Sequence, residues 1–137
     1  MDKSSRSSFA TILIVEDEAL VRLELAVWLA EIGVDTLSAE TADDALALLD
    51  SHSEIDGLLT DIKLPGSMDG IRLAHHVRGR WPPVRIIVIS GFIDTLQADL
   101  PQGSLFIPKP FGPEKLRGAL AHLAPGGQPG APSRRAA

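Results

Sequence analysis

The sequence predicts a single α/β domain, a parallel sheet of five strands wound on both faces by helices. Three observations lead there. Short apolar runs rich in β-branched residues alternate five times with segments of helical period. No Ser/Pro/Gly run divides the middle of the chain. The 137 residues, 45% of them hydrophobic, suffice for one core of ordinary size. Alternating strand–helix units imply parallel strands joined by right-handed crossovers, hence an open, doubly wound, three-layer sheet.

The first strand is TILIV, Thr11 to Val15, and the helix after it aligns Val21, Leu25, Trp28, Leu29 and Ile32 on one face, with Gly33 placed to stop it. Val34 to Ala39 forms a weaker second strand. Thr41 and Asp44 then give a capping-box pattern to a helix that buries Ala42, Ala45, Leu46 and Leu49. GLLTD, Gly57 to Asp61, is the third strand, and Asp69 is the expected cap of a helix presenting Leu73, Ala74, Val77 and Trp81 before Pro82 and Pro83 end it. RIIVIS, Arg85 to Ser90, is uninterrupted and β-branched, as a strand covered on both faces should be. A short helix is expected over Asp94 to Leu100, before Pro101. SLFI, Ser104 to Ile107, supplies the fifth strand, and Pro113 suits the first turn of a last helix with Leu116, Ala119, Leu120 and Leu123 inward. Residues 1–8 are polar and Ser-rich, and residues 125–137 are rich in Pro, Gly and Ala. Neither can build a core, so both are expected to be disordered around a domain at 9–124.

Composition narrows the function. Without cysteine there is no disulfide and no thiolate metal site. The apolar run from Ala10 to Val15 is far shorter than the roughly 20 residues of a membrane span and has no leader-like context, so a cytoplasmic chain with no membrane partner is expected. A net charge of -5 argues against direct nucleic-acid binding, and Arg134 and Arg135 are too few to reverse that.

In doubly wound sheets the working crevice lies outside the carboxyl ends of the strands, where strand order reverses. At those ends the sequence puts Glu16, Asp17 and Glu18 after the first strand and Asp61 at the end of the third. Ser90 and Gly91 close the fourth, and Lys109 follows the fifth after Pro108. Each has an ordinary reading: acids complementing a helix N-terminus, a turn cap, a strand-end hydroxyl, a solvated lysine. Their convergence on one edge does not. Glu16, Asp17 and Asp61 against Lys109 leave 3 - 1 = 2 negative charges uncompensated. Two like charges about 4 Å apart repel by about 4 kcal/mol at an effective dielectric near 20, which a divalent cation would relieve. Hard oxygen donors favour Mg²⁺ over zinc. His75 and His76 project about 100° apart on a helix and cannot share a ligand. With His52 and His122 scattered, all four read as surface residues.

ILIVEDE, LLTD with the LPG and MDG after it, VISG and FIPKPF, in that order over Thr11 to Leu123, are together similar to the receiver domain of two-component response regulators. The resemblance implies a flavodoxin-like (βα)5 fold with strand order 2-1-3-4-5. It implies that Asp61 is a phosphoacceptor, that Asp17, Asp61 and the Lys63 carbonyl hold Mg²⁺ directly, and that Glu16 acts through water. Lys109 and Ser90 would engage the phosphoryl oxygens, and Gly91 would keep access clear. A cis Lys109–Pro110 bond and an aromatic switch at Phe106 complete the pattern, the switch altering the face of the fourth helix, fifth strand and fifth helix. The implied partners are a sensor histidine kinase or histidine phosphotransfer protein and a downstream protein target. The implied assembly is a monomer or weak dimer that is a signalling phosphoacceptor rather than an enzyme. A stand-alone receiver is expected, with a receiver belonging to a larger protein as the alternative.

Two departures stand out. The loop from Asp61 to Asp69-Gly70 is one residue longer than the common form, through Ser67, and the interval from Ser90 to Lys109 is shorter than usual and cut by Pro101. Lys63 and Phe92 stand where the family tunes dephosphorylation and offer no carboxylate or amide to position water, so slow self-hydrolysis is expected. Readings from other classes fit less well. A haloacid-dehalogenase-type hydrolase needs a second acid that Asp61-Ile62-Lys63 lacks. A flavin carrier needs a neutral phosphate loop where Glu16 to Glu18 stand. A phosphorylation-independent binding module would ordinarily have lost one of the site residues.

Overall fold

The computed structural model describes residues 8–91 and 99–123 of the 137-residue chain. Its elements run β1 (Thr11–Val15), α1 (Ala19–Ala30), β2 (Asp35–Ala39), α2 (Ala42–Ser51), β3 (Ile55–Asp61), α3 (Gly70–Arg80), β4 (Arg85–Ser90), β5 (Leu105–Pro108) and α4 (Pro113–His122). Every strand pair is parallel, in the expected order β2-β1-β3-β4-β5. Of the expected helix over Asp94 to Leu100, only Asp99 and Leu100 are described, and they are not helical; the rest of it and Phe92 lie outside the described residues. So do the two terminal segments, apart from Ser8.

Period-two alternation sorts the strands' side chains into two layers. Leu13 and Val15 of β1, Leu58 of β3, and Ile86 and Val88 of β4 pack with Ala42, Ala45 and Leu49 of α2 and Leu73, Ala74 and Val77 of α3. Their neighbours Ile12, Ile14, Leu59, Ile87 and Ile89 pack on the other side with Leu25 and Leu29 of α1 and Leu116 and Leu120 of α4. β1, β3 and β4 are buried on both faces, which is why they read as continuous apolar runs.

Local signals act as expected. The Thr41 hydroxyl accepts the Asp44 amide at 3.1 Å and Asp69 accepts that of Arg72 at 2.9 Å, capping α2 and α3. Gly33 ends the α1 turn at φ 82°, a left-handed value that favours glycine. α1 differs from the plain amphipathic picture, because Leu20, Leu23 and Val27 lie exposed on the face away from the sheet.

β3 starts at Ile55, two residues before the expected Gly57, because its second residue is tied to β1. The Asp56 carboxylate accepts the Ala10 amide at 2.9 Å and the Thr11 amide at 3.2 Å. Arg85, on β4, closes the same pole. Its guanidinium stacks 3.6 Å over the Phe9 ring, reaches Asp56 at 3.4 Å, and donates to the Ser8 hydroxyl and the Leu123 carbonyl at 3.2 Å each. The acids sit at the opposite pole, where the strands end.

Candidate functional site

Strand register brings the site together. Val15 pairs with Thr60, Asp61 with Ile89, and Ser90 with Pro108, so β1, β3, β4 and β5 end nearly level. Strand order reverses between β1 and β3, which opens a crevice between their carboxyl ends. Glu16 and Asp61 flank that crevice, and Lys109 reaches into it. The Lys109 ammonium lies 3.0 Å from Asp61 Oδ2 and 3.6 Å from Glu16 Oε1. Its own amide donates to the Ser90 carbonyl at 2.9 Å, and the Lys109–Pro110 bond is cis, as expected.

Asp61 is held from several sides. Its Oδ1 accepts the Ile62 amide at 2.8 Å, and its carbonyl accepts the buried Thr60 hydroxyl at 2.8 Å. Behind it, the Gly70 amide donates to the Ile62 carbonyl at 2.8 Å. Gly70 begins α3 against the backbone of β3, so closely that a Cβ there would stand 1.9 Å from the Asp61 carbonyl oxygen. The loop between them turns at Gly66, with φ 99° after Pro65, in the left-handed region that glycine adopts at no steric cost.

The acidic run at the end of β1 splits into three different roles. Glu16 is 1% exposed, with Oε2 accepting the Glu18 amide at 3.0 Å and Oε1 buried without a hydrogen-bond partner. Burial pushes its carboxyl up to about 7, and the nearby Asp61 charge adds to that against the opposing pull of the Glu18 amide and Lys109. Asp17 is exposed at the head of the turn. Glu18 is the residue before α1, and its side chain makes no capping bond. Burial alone would lower the Lys109 ammonium, but the hydrogen bond and charge of Asp61, and then Glu16, outweigh it and hold the pKa above the ordinary value.

Among the described residues, no three acid or imidazole side chains gather closely enough to hold a metal by themselves. A cation here would need a backbone carbonyl and water beside the carboxylates, which is how hard divalent ions are commonly held. The orphaned Glu16 Oε1 and an all-oxygen donor set fit such an ion.

Ser90 is buried at the end of β4, one residue past the partner of Asp61. Among the described residues, a Cβ added at Gly91 would meet only the Lys109 stem, at 3.8 Å. Phe106 is half-buried on β5 opposite Val88 and packs against the layer under α2 and α3. Lys63 is exposed just beyond β3. The histidines lie elsewhere: His75 bonds the Asp99 carbonyl, His52 sits between Ser51 and Leu48, His76 is beside Trp81, and His122 is exposed on α4. Sequence reasoning did not single out Thr60 or Gly70 as supports of Asp61. The MDG tripeptide carried the only signal for Gly70.

The family model for the response regulator receiver domain matches residues 12–121. The chain is 32% identical over 114 residues to the sensor kinase CckA of Brucella abortus (strain 2308), covering 80% of this chain and 12% of that protein. It is 39% identical over 79 residues to the Regulator of RpoS of Escherichia coli (strain K12), covering 58% of this chain and 23% of that protein. The chain thus spans a quarter or less of these curated relatives. Among solved structures, a response regulator receiver protein from Sinorhizobium medicae WSM419 superposes with TM-score 0.77 at 29% identity, over 87% of this chain and 97% of that one. The receiver domain of the hybrid histidine kinase CckA superposes with TM-score 0.72 at 30% identity, over 84% and 99%.

Proposed function

The chain belongs to the response regulator receiver family, and from that premise we propose that Asp61 accepts a phosphoryl group from the phosphohistidine of a sensor kinase or a histidine phosphotransfer protein. The observation that carries the reading is the placement of Lys109, whose ammonium lies 3.0 Å from Asp61 Oδ2 and 3.6 Å from the buried Glu16 Oε1.

In the transfer an Asp61 oxygen bonds to phosphorus as the phosphorus–nitrogen bond breaks, and the electron pair returns to the donor imidazole. Asp61 enters as the carboxylate and leaves as an acyl phosphate. Phosphoryl transfer asks chiefly for positioning and charge neutralisation. The Ile62 amide holds the carboxylate, and the Thr60 and Gly70 contacts hold the main chain that carries it. Lys109, already beside the carboxylate, takes up charge on the transferred oxygens, and the Ser90 hydroxyl donates to one of them. Asp17, Asp61 and the Lys63 carbonyl would hold Mg²⁺, with Glu16 acting through water. When bound, that ion supplies the charge neutralisation that one lysine cannot. Hydrolysis by water returns the Asp61 carboxylate and releases phosphate.

The signal leaves through β5. Turning of the Ser90 hydroxyl toward the phosphoryl group vacates space for Phe106 to rotate inward, changing the face of β5 and α4 that a protein target reads. Incubation with Mg²⁺ and a small acyl phosphate, followed by intact mass, tests the reading. One added phosphoryl group is expected, absent without Mg²⁺ and absent in Asp61→Asn. No addition in the presence of bound Mg²⁺ overturns it.

A further inference from the structure

We infer that Arg22 is a positioning residue for the acidic turn between β1 and α1. From the first turns of α1 its side chain reaches back over that turn, and Nη1 donates to the Glu16 carbonyl at 2.7 Å while Nη2 lies 3.6 Å from Glu40 Oε2, just past β2. The guanidinium is mostly buried, whereas Glu40 is exposed. Glu16 is thereby fixed on every side that the chain offers. Its amide donates to the Ala39 carbonyl at 3.0 Å, its Oε2 accepts the Glu18 amide at 3.0 Å, and its carbonyl is taken by Arg22. What remains is Oε1, aimed at Lys109 and without a hydrogen bond.

Helix stability does not account for this arginine. A cation near a helix N-terminus opposes the macrodipole, and α1 carries no acid in its first turn and no side-chain cap. The fork has a different use: it stands in for the missing cap by gripping the turn that carries Glu16 and Asp17. A planar guanidinium can span a carbonyl and a carboxylate at once, which a lysine ammonium cannot do in the same geometry.

The inference rests on the receiver reading, in which Glu16 and Asp17 serve Mg²⁺, and charge and position predict opposite outcomes. As a charge alone, Arg22 repels a cation, so Arg22→Met should tighten Mg²⁺ binding. As a positioning residue it holds the donors in register, and its loss should weaken binding by about tenfold, the lower end of what outer-shell partners of metal ligands contribute. The assay is a Mg²⁺ titration of the full chain, read by NMR at the amides of Glu18 and Ile62, which donate to Glu16 Oε2 and Asp61 Oδ1. Urea unfolding of each variant establishes that it is folded, and the phosphorylation rate should recover at saturating Mg²⁺. Weaker binding in Arg22→Met supports the inference, and unchanged or tighter binding overturns it. If Arg22→Met does not fold, Arg22→Lys decides, since it keeps the charge without the fork: weaker binding supports, wild-type affinity overturns. An unmodified chain that binds no Mg²⁺ overturns the receiver reading itself, and the inference with it.

Discussion

Gly70→Ala isolates how the start of α3 supports Asp61. A Cβ built on Gly70 falls 1.9 Å from the Asp61 carbonyl oxygen and 2.8 Å from both the Asp61 carbonyl carbon and Ile62 Cα, where real Cβ contacts are essentially never below 3.0 Å. The two backbones must separate by at least the difference, about an ångström. Side-chain crowding of this kind usually costs about 1–3 kcal/mol. Here the obstacle is main chain, pinned by the Gly70–Ile62 bond at 2.8 Å, the Thr60 hydroxyl at 2.8 Å and the Ile62–Ile89 bond at 3.1 Å. The cost therefore belongs at the top of that range, about 3 kcal/mol. Gly118 supplies the control: it lies exposed in α4, and a Cβ there meets nothing within 4 Å among the described residues. Gly118→Ala should stabilise by about 0.5–1 kcal/mol through helix entropy alone. Urea unfolding of both variants measures the contrast, and acyl-phosphate labelling of Gly70→Ala should slow by up to about a hundredfold if Asp61 is displaced by an ångström. A Gly70→Ala protein as stable and as reactive as the parent would refute the steric argument.

Thr41→Ala removes the acceptor of the Asp44 amide and should cost about 1 kcal/mol in urea unfolding; a cost near zero would mean that water replaces the cap without loss. Glu16 gives a pH signature. Its folded carboxyl is raised from 4.5 to about 7, so the folded state keeps a proton that the unfolded chain loses, and metal-free stability falls as pH rises through that window. The swing is at most about 3 kcal/mol, and Glu16→Gln should abolish that part of the pH dependence; an identical pH profile in the variant would exclude Glu16 as its source. The phosphorylated chain should hydrolyse slowly, because Lys63 and Phe92 offer no carboxylate or amide to orient water, and a lifetime of only seconds by intact mass would show another group doing so.

Elements and caps were legible because their causes are local. Thr41 and Asp69 cap three residues ahead, Gly33 ends its own turn, and the alternation in RIIVIS divides its side chains between two layers. Contacts between distant residues were not. Arg85 reads as the first residue of an apolar strand, yet its partners are Ser8, Phe9, Asp56 and Leu123, which no pattern links. The same long-range tie through Asp56 explains the two residues of β3 that precede GLLTD. In α1 the apolar period named a single face, whereas Leu20, Leu23 and Val27 give the helix a second apolar face that lies exposed.

The acidic trio shows the same limit at the site itself. Composition counts Glu16, Asp17 and Glu18 as equal charges, and the charge balance drawn from them assumes that each is ionised. Folding makes them unequal. β2 takes the Glu16 amide and Arg22 takes its carbonyl, so the side chain is turned under the turn, buried, and left with one unpartnered oxygen near Lys109. Desolvation then raises its pKa toward neutrality. Asp17 points the other way, into solvent, and Glu18 only precedes the helix. At neutral pH the metal-free cluster therefore carries less negative charge than the count of acids implies. If Mg²⁺ is held as proposed, its binding competes with the proton that burial favours on Glu16 and brings the exposed Asp17 inward. Metal affinity should then depend on how firmly the turn between β1 and α1 is held, which brings Arg22, through the Glu16 carbonyl, and Glu40, through Arg22, into the energetics of the site.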